Sequence, residues 1–168
     1  MMENNKTLEI LKMAILMEKR GQAFYTQVAR ATQNSEIRSI FELMAKEEVD
    51  HERFLSEQFK NYNANHTFGK IDLPKQEKDA FSDLIITDKI KKELSAASYE
   101  AAAISAAIDM ENNAIHVYGE RAKEATDPEE KALFQWLSDW EKTHHQVLLD
   151  IDNELKEQVW NDNHFWPF

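Results

Sequence analysis

The 168-residue chain contains no cysteine. A disulfide framework, thiolate zinc sites, cysteine-held iron–sulfur clusters and a cysteine nucleophile are therefore excluded. Glycine and proline are scarce, with three of each. Hairpin turns consume those residues, so a chain this poor in them is expected to be helical rather than a sandwich or barrel. Positive charge is in deficit. Lys and Arg number 20 against 31 Asp and Glu, a formal net charge of −11. That balance argues against a nucleic-acid partner, because phosphate binding needs Lys or Arg in excess on some face. No run approaches the ~20 apolar residues of a membrane span, and the N-terminus lacks a signal-peptide pattern. The expectation is a single cytoplasmic all-α domain over residues 1–168, long enough to bury a sizeable core, with neither nucleic acid nor membrane as partner.

What the chain has is heptad patterning. Four segments carry mostly apolar stripes at alternating steps of three and four: Leu8, Leu11, Ile15, Glu18, Gln22, Tyr25, Ala29 and Thr32; Ile37, Phe41, Met44, Glu48, His51 and Leu55; Ala101, Ile104, Ile108, Glu111, Ile115, Tyr118, Ala122 and Ala125; Phe134, Leu137, Glu141, His144, Leu148, Ile151 and Leu155. Each stripe occupies one helix face and should point into a shared core. Asn34 or Ser35 can cap the second helix. Asp127-Pro128-Glu129-Glu130 supplies a cap, a proline at the first helical position and acids at the positive end of the dipole. Links of a few residues make antiparallel hairpins of helices one and two, about 5–60, and three and four, about 96–157. Between them, residues from about 61 to 95 suit a crossover running the length of the bundle, with a small helix or two near Leu84-Ile85-Ile86. The tail, 158–168, carries Trp160, His164, Phe165, Trp166, Pro167 and Phe168. So aromatic a tail is expected to pack on the bundle or on a second subunit.

The two hairpins repeat each other at a constant offset of 93 residues. Ala14, Ile15, Met17, Glu18, Tyr25 and Ala29 map onto Ala107, Ile108, Met110, Glu111, Tyr118 and Ala122; Glu36, Phe41, Glu48, His51 and Leu55 map onto Glu129, Phe134, Glu141, His144 and Leu148. Every acid or histidine embedded in the stripes belongs to this matched set. One helix of each hairpin offers a lone glutamate, Glu18 or Glu111. The other offers Glu-x-x-His, Glu48/His51 or Glu141/His144. Positions three apart share a helix face with Cβ atoms about 5–6 Å apart, so one Glu and one His can reach the same ion. Four inward carboxylates and two imidazoles are the ligand set of a dimetal carboxylate centre in a four-helix bundle. Two divalent cations would neutralise the four carboxylates, whose unpaired burial would cost several kcal/mol per ion. Carboxylate and imidazole suit iron or manganese, and zinc is compatible. Chance alone gives fewer than one Glu-x-x-His pair in such a composition; two occur, both in register with the stripes and the repeat. The competing reading, buried ion pairs, lacks any Lys or Arg on the stripes.

Neighbouring residues have plainer readings. Glu47 lies off the stripe and its repeat mate is Trp140, so a solvated face is expected for it. His145 is off-register and is expected at the surface or behind a ligand; His66, His116 and His164 are expected at the surface. Tyr25 and Tyr118 follow their lone glutamates by two turns on the same stripe, as core aromatics or as phenols holding a ligand carboxylate in orientation. Gly21 and Gly119 sit inside helices, where glycine costs up to ~1 kcal/mol. Close packing explains both, and at Gly21 a missing side chain also leaves room beside a metal. Trp136 and Trp140 are expected in or against the core.

The stretches MEKRGQAFY, EEVDHERFL, MENNAIHVY and WEKTHHQVL resemble the rubrerythrin-like branch of the ferritin-like superfamily, across about 8–59 and 98–155. The resemblance implies a ferritin-like four-helix bundle with a di-iron centre that reduces hydrogen peroxide or O2. Its ligands would be Glu18, Glu48, His51, Glu111, Glu141 and His144, with Tyr25 and Tyr118 behind them. Rubrerythrins proper also carry a cysteine-ligated iron domain; without cysteine, electrons must come from an external donor. They carry a further ligand glutamate one turn beyond the third-helix glutamate, where this chain has Ala114. The symmetric six-residue set also resembles bacterioferritin, but Val49 stands where that family has a haem-ligating methionine. The expected function is therefore a di-iron oxidoreductase acting on peroxide or O2, in oxidative-stress defence or iron handling, as a homodimer. The alternatives are an iron-binding or storage protein without a dedicated substrate, a manganese or mixed iron–manganese site, and a bundle with structural zinc.

Overall fold

A computed structural model describes residues 2–74 and 98–162, with side chains over 5–74 and 98–157. The apolar piece at 84–86 and the side chains of the aromatic tail lie outside the described residues. Within them the chain forms four helices: α1 (Met2–Ala31), α2 (Ser35–Asn65), α3 (Tyr99–Glu124) and α4 (Pro128–Asp162).

Local chemistry sets the boundaries. Asn34 is the N-cap of α2, and its Oδ1 accepts from the backbone N–H of Glu36 and Ile37, each at 3.0 Å. Ser98 caps α3 through Ala101 N–H at 3.2 Å. Asp127 accepts from Glu129 and Glu130 N–H at 2.8 and 3.2 Å, just before Pro128 opens α4. α2 runs to Asn65, past the hairpin boundary expected near residue 60, because Tyr62 and Phe68 are both buried there with ring centroids 5.2 Å apart. It closes at His66, which is exposed and takes the left-handed conformation (φ 57°) while its N–H bonds Tyr62 O at 2.9 Å.

α1 packs along α2, and α3 along α4. The links, 32–34 and 125–127, are too short for anything but antiparallel neighbours. Contacts between hairpins set the remaining directions. Tyr25 on α1 bonds Glu111 on α3, while Tyr118 on α3 bonds Glu18 on α1, so these helices run antiparallel. Glu47 meets His144 and His51 meets Glu141, so α2 and α4 are antiparallel as well. It follows that α2 and α3 are parallel, and residues 66–98 join opposite ends of an all-α four-helix bundle.

Every residue of the four stripes is buried or half-buried. The apolar core falls into two parts. One joins Val28, Ile40, Phe41, Ile104, Leu148 and Ile151; the other joins Leu11, Phe54, Leu55, Leu133, Phe134 and Leu137. Each fully buried aliphatic or Phe side chain contributes on the order of 1.5–3 kcal/mol. On all four helices, the acids and histidines of the stripes lie between these parts. The polar cluster is thus a middle layer with packed hydrocarbon at both ends.

Candidate metal centre

Each helix brings its stripe acid to this layer: Glu18 from α1, Glu111 from α3, Glu48 with His51 from α2, and Glu141 with His144 from α4. None of the six is more than 4% exposed. Glu18, Glu48, His51 and Glu141 offer ligand atoms all within 4.8 Å of one another, and so do Glu48, Glu111, Glu141 and His144. The two groups share Glu48 and Glu141, so two adjacent ions could be held with those carboxylates in common. All six residues expected as ligands are brought together.

The imidazoles enter through the same atom. His51 Nδ1 lies 3.2 Å from Glu18 Oε2, 3.1 Å from Glu141 Oε1 and 3.5 Å from Glu48 Oε2. His144 Nδ1 lies 3.1 Å from Glu141 Oε2 and 3.4 Å from Glu111 Oε1. Tyr118 donates its hydroxyl to Glu18 and Tyr25 donates to Glu111, so each phenol serves the lone glutamate of the other hairpin. Both rings are also fully buried, so each tyrosine is at once a core aromatic and a hydrogen-bond donor to a cluster carboxylate.

The donor set fits a pair of cations. Four carboxylates converge, and among the described residues no Lys or Arg is buried. Both oxygens of Glu141 are buried without a well-formed hydrogen bond among the described residues, an expensive arrangement for a carboxylate unless a cation takes its lone pairs. Without cations, protons carry that role. Burial, then the charges of Glu141 and Glu18, pushes Glu48 far above the usual carboxylate range. Burial and Glu141 push Glu111 up to about 8. Burial lowers the affinity of His51 and His144 for a proton, but the facing carboxylates, Glu141 and Glu111 foremost, outweigh it and raise both. Burial would raise Glu141 too, yet His51 and His144 hold it well below the usual range. Burial and the adjacent Glu111 and Glu18 charges keep Tyr25 and Tyr118 protonated as donors.

One expectation is overturned. Glu47 does not lie on a solvated face. It is half-buried, with Oε2 2.6 Å from His144 Nε2 and 3.0 Å from Trp140 Nε1. Burial raises its pKa, but the hydrogen bond and charge of His144 outweigh that and hold it below the usual range. The heptad rule misses it because it asks only which residues face the bundle axis. Glu47 flanks the stripe and points across the seam towards α4. The one signal in the sequence is the repeat itself, which pairs Glu47 with Trp140, its hydrogen-bond partner. Trp136 and Trp140 pack edge-on to the His51 ring, with centroids 5.3 and 5.7 Å away. His116 is exposed, His145 is half-buried outside the cluster, and His164 lies outside the described residues.

Between α1 and α3 a cavity of about 170 Å³ opens onto the cluster. It is lined by repeat-mate pairs, among them Glu18 and Glu111, Met17 and Met110, and Gly21 and Ala114, and it reaches the surface at exposed Arg20 and Asn113. A Cβ at Gly21 would lie 3.3 Å from Glu48 Cδ, so the missing side chain leaves room for that carboxylate. Among the described residues, no helix is long and apolar enough to cross a membrane.

Comparison with known proteins agrees with the geometry. The rubrerythrin family model matches residues 9–151, which span all six cluster residues and both tyrosines. Neither the curated proteins nor the solved structures give a match.

Proposed function

The chain belongs to the rubrerythrin family, and from that premise we propose that it is a di-iron carboxylate oxidoreductase that reduces hydrogen peroxide or O2 with electrons from an external donor. The observation that carries the proposal is the buried layer in which two four-residue groups share Glu48 and Glu141. Glu18, Glu48, His51, Glu111, Glu141 and His144 hold the metal pair; manganese, mixed iron–manganese and zinc are the competing occupants. Bound iron supplies open coordination positions and two one-electron redox changes next to each other.

The chain supplies the rest. The two apolar ends of the core exclude bulk water from the cluster. Tyr25 and Tyr118 hold Glu111 and Glu18 in place through hydroxyls that stay protonated. The cavity between α1 and α3 has room for a few water-sized molecules and gives a small oxidant a path to the cluster. With no cysteine among these 168 residues, no thiolate-held iron relays electrons within them, and the donor in this reading lies outside this chain. A homodimer in the cytoplasm is the setting proposed for this chemistry.

The test begins with metal content of protein purified from its own host, with two iron ions per chain expected. Anaerobically Fe(II)-loaded protein should then oxidise within seconds of peroxide addition. With a reductant present, it should consume peroxide far beyond the bound iron. Consumption that stops at one equivalent per iron pair would indicate storage instead, and redox-inert zinc would exclude both.

A further inference from the structure

The internal repeat makes the metal centre look symmetric, yet the groups behind its two histidines differ. Behind His144, Nε2–H donates to Glu47 at 2.6 Å, and the same carboxylate oxygen accepts from Trp140 at 3.0 Å. Glu47 is half-buried at this seam, with its carboxylate aimed at the outer nitrogen of the imidazole. Behind His51, the repeat mate of Glu47 is Trp140 itself. Trp140 presents a ring edge-on to His51 and points its only donor away, to Glu47. His51 Nε2 is buried with no hydrogen-bond partner among the described residues.

We propose that this difference makes the two halves of the centre unequal: the Glu111–His144 half binds its metal first and more tightly, and Glu47 is the positioning residue responsible. The proposal rests on the dimetal reading of the site. Its physical basis is general. A carboxylate accepting from the outer N–H of a ligating imidazole fixes the tautomer and ring angle and makes the inner nitrogen a stronger donor; losing such a partner typically weakens metal binding ~10–100-fold. His144 has that support and His51 lacks it. The shared ligands Glu48 and Glu141 contribute to both halves, so they do not create the difference. A centre built this way has one retained ion and one exchangeable ion.

The probe is Mn(II), added anaerobically to the metal-free full-length chain, with the free ion followed by its electron paramagnetic resonance signal. Two equivalents should bind in separate steps, the first about 10–100-fold tighter. At one equivalent, anomalous scattering from a crystal should place the ion beside His144. His51→Ala should keep the tight step and His144→Ala should lose it. Glu47→Gln should weaken the first step ~10-fold or more and leave the second almost unchanged. It should also shift the His144 Nε2–H proton resonance of the metal-free protein, a readout that general loss of stability would not move. Should Glu47→Gln fail to fold, Trp140→Gln tests the other side: an acceptor behind His51 should tighten the second step. Two equal steps, a first ion beside His51, or equal weakening of both steps by Glu47→Gln would overturn the inequality and leave the dimetal reading standing. Uptake of one Mn(II) or none would overturn the dimetal reading and the inequality with it.

Discussion

Glu47 and Gly21 show how single positions divide their work between fold and site. Both lie next to residues of the buried cluster in sequence or space, and neither belongs to it. Glu47 meets the outer nitrogen of His144. Gly21 acts by absence, since a Cβ there would press on Glu48 at 3.3 Å. Gly119, the other glycine inside a helix, has only Ser138 Oγ nearby at 3.4 Å, an ordinary contact. The two substitutions should therefore separate. Gly119→Ala should raise stability by up to ~1 kcal/mol through helix propensity and leave metal binding as it is. Gly21→Ala should keep or raise the melting temperature of the metal-free protein while lowering Mn(II) affinity about tenfold, as displaced ligand support does elsewhere. Thermal unfolding and metal titration of both variants check this. Equal effects on metal binding would show that Glu48 moves aside without loss.

At the scale of the helix, the stripes and the caps of α2 and α4 are legible in the sequence, whereas the cap of α3, Ser98, is not. The stripe positions are dictated by a period of 3.5–3.6 residues, and every one of them is buried or half-buried. Caps are legible because they depend on short polar side chains beside the first turn. Asn34 is the strongest case, with two backbone donors on one oxygen. Asn34→Ala should cost about 1 kcal/mol and lower the melting temperature without altering metal affinity, because the cap lies far along α2 from Glu48. Calorimetry with and without Mn(II) reads both quantities. The end of α2 was less legible. It continues because Tyr62 and Phe68 close over the bundle end, and that is a tertiary contact with no local pattern.

For the whole molecule, the buried acids make stability depend on metal and pH together. In the metal-free chain, Glu48, Glu111, His51 and His144 all have raised pKa values, Glu111 at about 8. They bind protons more tightly folded than unfolded. Their contribution is complete below the unfolded pKa values and is lost as pH rises through the folded ones. Glu141 and Glu47 are lowered and act oppositely; their contribution is present above the unfolded value of ~4.3 and is lost as pH falls below it. Between about pH 6 and 9 Glu111 gives up its proton, so the metal-free protein should lose melting temperature across that window. The metal-loaded protein should hold or gain, because cations require deprotonated ligands. Saturation at 1,000 times the dissociation constant adds ~4 kcal/mol. Scanning fluorimetry of both forms against pH is the check. A metal-free protein whose melting temperature rises through that window would contradict the proton-filled cluster.

The sequence by itself determined the all-α class, the two hairpins and the six residues that meet at the centre. Helix period, the 93-residue offset and the lack of Lys or Arg on the stripes are all properties of order along one chain. Only the tertiary structure decided what stands behind those residues. The hydroxyls of Tyr25 and Tyr118 cross to the opposite hairpin, the cavity opens where α1 and α3 face each other, and Glu47 turns out to serve His144. Periodicity reports which face of a helix is inward. It is silent on side chains at the seam, where direction depends on the neighbouring helix. There the repeat that makes the cluster residues equivalent sets Glu47 against Trp140 and leaves a carboxylate behind His144 but none behind His51.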